Sequence, residues 1–485
     1  MTPIDIPTFQ PRLKVLSKDQ AWAIHTAALE ILEKTGIKME HAGAREMLAD
    51  AGAHVFDGDW VKLPGYLVDE ALSSAPRQIA LYDQQGNKTM PLVDGNFFYG
   101  TGSDATFTLD LETGNRRRAL LKDAANFAKL VDGLENISFA MSMANPEDIP
   151  EGEIENIYVH VFAQMVRNCN KPFVFIADSG KDIRKIYDMA CLVTGGEEHF
   201  REKPFMLNYS EAISPLRFPD YVVDKLIFCA EKGIPICLPS GSNAGGGAPV
   251  TLAGAMAMGI AENLVGLVVH QMACKGSPFL FGPNVSALDM KSTVVCYGCP
   301  EWSLTQSALA DMRDEIYGLP TWAYAGASDA KIVDAQAGAE AMFSITTSML
   351  SRANLIHDVG FLEYGSTSSL EMVTMANELI AMARYFTRGI PVNKDTLALE
   401  AIERVGKGGT GSIFLMDDHT FDHFESAMYH PGLLDRSRYD AWEQAGSMDL
   451  YQACNAEARR ILSEHEVEPK SDDVLEGIQD ILKRG

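Results

Sequence analysis

Between Asn96 and about residue 390 the sequence repeats one unit, a short apolar or β-branched run followed by a longer stretch with helical spacing. After an opening aromatic run at Phe97, the short runs are Phe139–Met143, Phe173–Ala177, Phe205–Tyr209, Pro235–Pro239, Phe279–Gly282, Thr321–Gly326 and Leu355–Phe361. Helical patterns separate them, at 119–133, 153–168, 180–194, 219–232, 249–275, 302–317, 331–351 and 368–388. Seven or eight consecutive strand–helix units favour a parallel sheet, and that number favours a closed (β/α)8 TIM barrel over an open one. No Pro-, Ser- or Gly-rich linker divides residues 96–390, so they read as one domain.

The flanks read differently. Residues 17–35 carry apolar side chains at three- and four-residue spacing, with a Ser17/Asp19 cap and Gly36 at the stop. Two more helices, Ala42–Asp50 and 66–74, and short strands at Val61–Leu63 and Ile79–Tyr82 make residues 1–95 a small helical cap. Residues 391–485 are helical and more polar, an extension expected to pack on the barrel, with 464–485 as a surface helix.

Charge and cysteine usage narrow the function. The net charge of −25 removes the clustered Lys and Arg that phosphate binding needs, so nucleic acid is excluded and anionic membranes are disfavoured. The same acidity suits a cationic ligand. Eight scattered cysteines read as reduced thiols of a cytoplasmic protein, not as a disulfide framework. The first residues, MTPIDIPTFQPRLKV, lack the apolar core of a secretory leader. The most apolar stretch, Leu252–Ala273, is interrupted by Glu262, Asn263, His270 and Gln271 and is not expected to cross a bilayer.

In such a barrel the chemistry sits where strands run into the following loops. Those positions hold Phe97-Phe98-Tyr99 leading to Asp104, then Asn208 to Glu211, Ser240 to Pro249, Gly282 to Asn284, Tyr324 to Asp329, and His357 to Tyr364. One His, no Cys and no Lys appear there, so no nucleophile–base pair or Schiff base is evident. Aromatic surface and a few carboxylates and amides dominate instead. Aromatic boxes hold quaternary ammonium groups by cation–π attraction of about 0.5–2 kcal/mol. Core packing is the plainer reading of any one such aromatic, but side chains alternate along a strand, so one of Phe97, Phe98 and Tyr99 is expected to face a pocket.

Other motifs carry less. The Gly-rich loop 240–249 lacks both a dinucleotide fingerprint and a Lys-Ser/Thr pair, so close approach by something large suits it better than phosphate. Cys296-x-x-Cys299 has no second pair nearby, and zinc would need further ligands from distant sequence. His419 and His423 read as a solvated helix face, and Arg116-Arg117-Arg118 as a surface turn. No tightly bound metal is expected.

The stretches VLSKDQAWAIHTAALEILEKTGIKMEH, SGSNAGGGAPVTLAGAMAMGIAENLVG, GLPTWAYAGASDAKIVDAQAGAEA and LIHDVGFLEYG resemble the trimethylamine methyltransferase superfamily, in its branch lacking pyrrolysine, typified by glycine betaine:corrinoid protein methyltransferases. The resemblance spans nearly the whole chain. It implies a TIM barrel that passes one methyl from a methylated amine to Co(I) on a separate corrinoid protein, as in anaerobic methylamine metabolism. Pyrrolysine stands in the trimethylamine enzymes near the stretch matching Gly360–Ser368, which here holds only standard residues. A quaternary ammonium leaves as a neutral tertiary amine without further activation, so glycine betaine, proline betaine, carnitine and γ-butyrobetaine are the implied substrates. The resemblance gives Phe97, Tyr99, Asn208 and His357 substrate-binding roles, the last two as hydrogen-bond donors to a substrate carboxylate. Phe361 and Tyr364 join the expected ammonium cage, and Asp104, Glu211 and Glu363 are added from position alone. Gly241, Gly245, Gly246, Gly247 and Asn284 are expected to face the corrinoid protein. A homo-oligomer is expected too. The alternative from another class is a barrel that binds a quaternary amine without turnover.

Overall fold

In the computed structural model, which describes residues 5–6, 8–408 and 412–483, eight parallel strands close on themselves. They are β1 (Phe98–Thr101), β2 (Ile137–Phe139), β3 (Phe173–Ile176), β4 (Met206–Tyr209), β5 (Ile236–Cys237), β6 (Phe279–Leu280), β7 (Trp322–Tyr324) and β8 (Leu355–Val359). Each pairs in parallel with the next; single bridges join Ala140 to Phe173 and Phe281 to Thr321, and β8 returns to β1. The chain is therefore a TIM barrel.

Helices follow the strands in turn: α1 (Leu121–Gly133), α2 (Ile157–Asn168), α3 (Gly180–Thr194), α4 (Asp220–Lys232), α5 (Leu252–Ala273), α6 (Pro300–Met312), α7 (Ala335–Leu350) and α8 (Leu370–Thr387). The two-residue period of a strand sorts side chains between two cores. Val174, Leu207, Cys237, Leu280, Trp322 and Leu355 fill the barrel, whereas Phe173, Met206, Ile236 and Ile356 face the helices. A hairpin of Ile79–Tyr82 with Lys88–Leu92 plugs the N-terminal end of the barrel with Leu81, Met90 and Leu92.

The apolar α5 is long and hydrophobic enough to cross a membrane, but it is mostly buried inside the protein. Helices Lys18–Glu30 and Gly65–Ser74 cover it. Its polar interruptions are paired: Glu262 accepts from the Leu216 amide at 2.6 Å and the Ser214 hydroxyl at 2.7 Å, and Asn263 donates to the Leu238 carbonyl. Helix Leu450–Glu464 packs on α8 and α1, and helix Asp472–Lys483 buries Ile478 and Ile481 while packing on α3 and α2.

Candidate active site

A cavity of about 550 Å³ opens at the C-terminal ends of the strands. Its walls combine aromatic faces with carboxyl groups. Tyr209 ends β4 inside the barrel, and Trp322 and His357 stack beneath it with ring centroids 4.2 Å apart. Phe361 follows β8, and its ring lies where a Cβ on Gly102 would approach within 2.2 Å, so glycine at the end of β1 makes the room. Tyr297 meets Phe361 edge-on at 6.2 Å and Trp302 at 4.6 Å, and Trp302 stacks on Tyr324 at 3.8 Å. Asp329 fixes the Tyr297 loop by accepting both the Tyr297 and Gly298 amides at 2.9 Å.

The acidic wall consists of Asp104, Asp178, Glu211 and Asp358. Glu211 accepts the Tyr209 hydroxyl at 3.1 Å. Burial pushes its carboxyl up to about 7; the neighbouring Asp104, Asp358 and Glu262 add to the rise, and the Tyr209 hydrogen bond opposes it. Asp104 accepts the Tyr158 hydroxyl at 3.1 Å. Lys225 is the one lysine on the wall, and its ammonium donates to the Ala177 carbonyl at 2.7 Å. Burial lowers that ammonium to about 8, against the pull of nearby acidic groups.

His357 is 4 % exposed, with Nδ1 2.6 Å from Asp358 Oδ1 and no partner for Nε2. The backbone around it is strained. Asp358, Glu363 and Tyr364 take φ of 75°, 49° and 48°, where a side chain costs of order 1–3 kcal/mol each and tends to mark a functional segment.

The expected cage is only partly assembled. His357, Phe361, Tyr364, Asp104 and Glu211 all line the cavity. Phe97 and Tyr99 do not, because Phe98 begins β1 and the aromatic triplet lies at the end of the barrel opposite the mouth. Phe97 sits under the Arg384 guanidinium at 5.1 Å, and Phe98 packs into the barrel floor. Tyr99 points outward, donating to the Ile345 carbonyl at 2.9 Å with Ser348 Oγ at 3.0 Å. Asn208 faces outward as well, next in register to the inward Leu207 and Tyr209, with its amide on the Phe175 carbonyl. Glu363 is spent on Arg116 at 2.7 Å and on the Ser366 and Thr367 hydroxyls.

Gly241 and Asn284 reach the cavity wall. Gly245 and Gly246 stand beyond it, where a Cβ would approach Met290 within 2.8 Å and Leu288 within 2.7 Å; Gly247 faces the Gly241 carbonyl. Their small size therefore answers to packing within this chain. Among the described residues no His, Cys, Asp and Glu cluster suits a metal ion, and Cys299 donates to the Cys296 carbonyl at 3.4 Å, so the CxxC closes a turn.

Sequence reasoning does not reach every wall residue: Tyr209, Trp302, Asp178, Lys225, Tyr297 and Asp358 are among those it misses. Asp178 follows β3 at the same kind of strand end as the others. Lys225 lies on the buried face of α4 among Val222, Leu226 and Cys229, a lysine in an apolar stripe. Tyr297 was hidden between the two cysteines, and Asp358 stood beside the histidine already chosen.

Comparison with known proteins agrees with this fold. The trimethylamine methyltransferase (MTTB) family pattern matches residues 4–485. Trimethylamine methyltransferase MttB of Desulfitobacterium hafniense is 31 % identical over 469 residues, 96 % of this chain and 93 % of that protein. Glycine betaine methyltransferase of Desulfitobacterium hafniense strain Y51 is 30 % identical over 480 residues, 98 % of both chains. Among solved structures, the hydroxylamine complex of MtmB superimposes with a TM-score of 0.51 at 12 % identity, covering 93 % of this chain and 88 % of that one, a likeness of fold.

Proposed function

Because this chain belongs to the trimethylamine methyltransferase family, we propose that it demethylates a quaternary ammonium compound and passes the methyl group to a corrinoid protein, without pyrrolysine. The observation that carries the reading is the cavity itself, in which Tyr209, Tyr297, Phe361 and Tyr364 share one wall space with four carboxyl groups. Aromatic faces suit the methyl-sheathed ammonium, and the carboxyl groups add negative charge that draws a cation in. The glycine betaine methyltransferase among the relatives supports a quaternary amine, as does the run GFLEYGSTS at 360–368, made of standard residues only. Glycine betaine, proline betaine, carnitine and γ-butyrobetaine belong to that class. Free cysteines throughout fit a cytoplasmic setting.

The corrinoid supplies a Co(I) nucleophile that accepts the methyl group. This chain's residues do the rest. The cage orients the ammonium so that one methyl points toward the mouth, which converts a bimolecular encounter into a positioned one. Burial around Tyr209 and Tyr297 keeps water from the carbon–nitrogen bond, and the departing amine is neutral and needs no acid. Around the mouth, Ile213, Val250, Met290 and Tyr364 are exposed, an apolar rim suited to a large flat ring carried by a partner. We place the loop of Gly241, Gly245, Gly246 and Gly247, with Asn284, on that docking rim.

The test is methyl transfer to free Co(I) cobalamin, followed by its absorbance change, across quaternary amines and trimethylamine. Transfer from at least one quaternary amine and none from trimethylamine is expected. Turnover of trimethylamine alone would overturn the reading.

A further inference from the structure

Resting on the demethylation reading above, we propose that the substrate carries a hydrogen-bond donor beyond its ammonium group, a hydroxyl or an amine, and no carboxylate: an amino alcohol of the choline type instead of a betaine.

The cavity offers acceptors. His357 lies on the cavity wall with Nδ1 2.6 Å from Asp358 Oδ1, which leaves Nε2 buried and without a partner. A buried ring nitrogen without a partner is costly, and a ligand hydroxyl, which both donates and accepts, satisfies it. Asp104, Asp178, Glu211 and Asp358 add further acceptors and negative charge on the same wall.

Donors, by contrast, are mostly spent on the protein. Tyr209 donates to Glu211 at 3.1 Å and Trp302 Nε1 to Asn284 at 3.2 Å. Ser103 donates to Asp104 at 2.5 Å. Lys225, the one cation that argues for an anionic tail, donates to the Ala177 carbonyl and is already countered by Asp178, Asp182 and Glu211. Asn208, which a carboxylate-binding role would need, faces the helix layer. The remaining hydroxyls, such as those of Ser210 and Tyr297, are neutral and serve an alcohol as well as a carboxylate. A carboxylate brought into this space meets like charge on several sides, which selects against it.

Choline and glycine betaine make the decisive pair, since they differ only in CH₂OH against COO⁻. Tetramethylammonium reports the ammonium alone. Titration calorimetry on the full chain is expected to give choline at least tenfold tighter than glycine betaine and tighter than tetramethylammonium. His357→Gln, whose amide offers a donor as well as an acceptor, is expected to shrink the choline-to-betaine ratio, as is His357→Ala. The same three compounds are then assayed for methyl transfer to Co(I) cobalamin. Glycine betaine binding as tightly as choline, or being demethylated with the higher kcat/KM, overturns this inference and leaves quaternary amine demethylation standing. Transfer from none of the three, with transfer from trimethylamine, removes the demethylation reading and this inference with it.

Discussion

Glu211→Gln separates what the acidic wall does for binding from what it costs the fold. Burial raises this carboxyl from 4.5 to about 7, so over that range the folded chain holds a proton that the unfolded chain has released. Stability therefore falls as pH rises from about 4.5 through about 7, and above that range the whole penalty is present. For a fully buried group a rise of that size is worth about 3 kcal/mol, but Glu211 meets solvent at the cavity, and screening cuts its share to about 1 kcal/mol. Glutamine is uncharged at every pH, and its carbonyl still accepts the Tyr209 hydroxyl. Urea unfolding across pH 5 to 8 should show the variant and the parent nearly equal near pH 5, and the variant more stable by about 1 kcal/mol near pH 8. The same charge attracts a cationic ligand, so the parent's affinity for tetramethylammonium should climb as pH passes through 7 while the variant's stays flat. A stability gap that does not change with pH, or a parent more stable at pH 8, would refute burial as the cause of the raised carboxyl.

Two further substitutions test the corrected cage. Tyr297→Ala should weaken tetramethylammonium binding by about 1 kcal/mol, seen by calorimetry, because it removes an aromatic face from the cavity; unchanged affinity would take Tyr297 out of the cage. Tyr99→Phe should leave that affinity alone and lower unfolding free energy by about 1 kcal/mol, because its hydroxyl serves Ile345 and Ser348; a loss of ligand affinity without a loss of stability would return Tyr99 to the site.

The sequence made the barrel legible because strand and helix periods alternate without interruption from Asn96 to about 390. Residues read off the downstream ends of strands, such as Glu211, His357 and Phe361, reached the cavity for the same reason. The misplaced aromatics have one cause, the position of a strand's start. Taking Phe97-Phe98-Tyr99 as a strand end, when Phe98 is the first residue of β1, put the aromatics at the mouth instead of the floor. The one-residue parity at Asn208 had the same effect, since side chains one residue apart face opposite cores. Tyr297 and Lys225 belong to no strand end: a loop between two chain segments brings in the first, and the first turns of α4 bring in the second. Periodicity places regular elements, but it is silent on which loop folds back over them.

The two kinds of wall have opposed consequences for a reaction that destroys a positive charge. An ionised carboxyl beside the ammonium favours the bound substrate over a transition state in which that charge is already fading, so it aids capture and opposes turnover. Aromatic faces bind more weakly, at about 0.5–2 kcal/mol, and give up less as the charge disappears. Glu211 therefore serves the site best away from the carbon–nitrogen bond. Its placement against the Tyr209 hydroxyl, at the side of the cavity, leaves Tyr297 and Phe361 free to face the reacting group. Charge at the side and aromatic faces toward the reacting group are on this argument what lets the site bind a cation and still release a neutral amine.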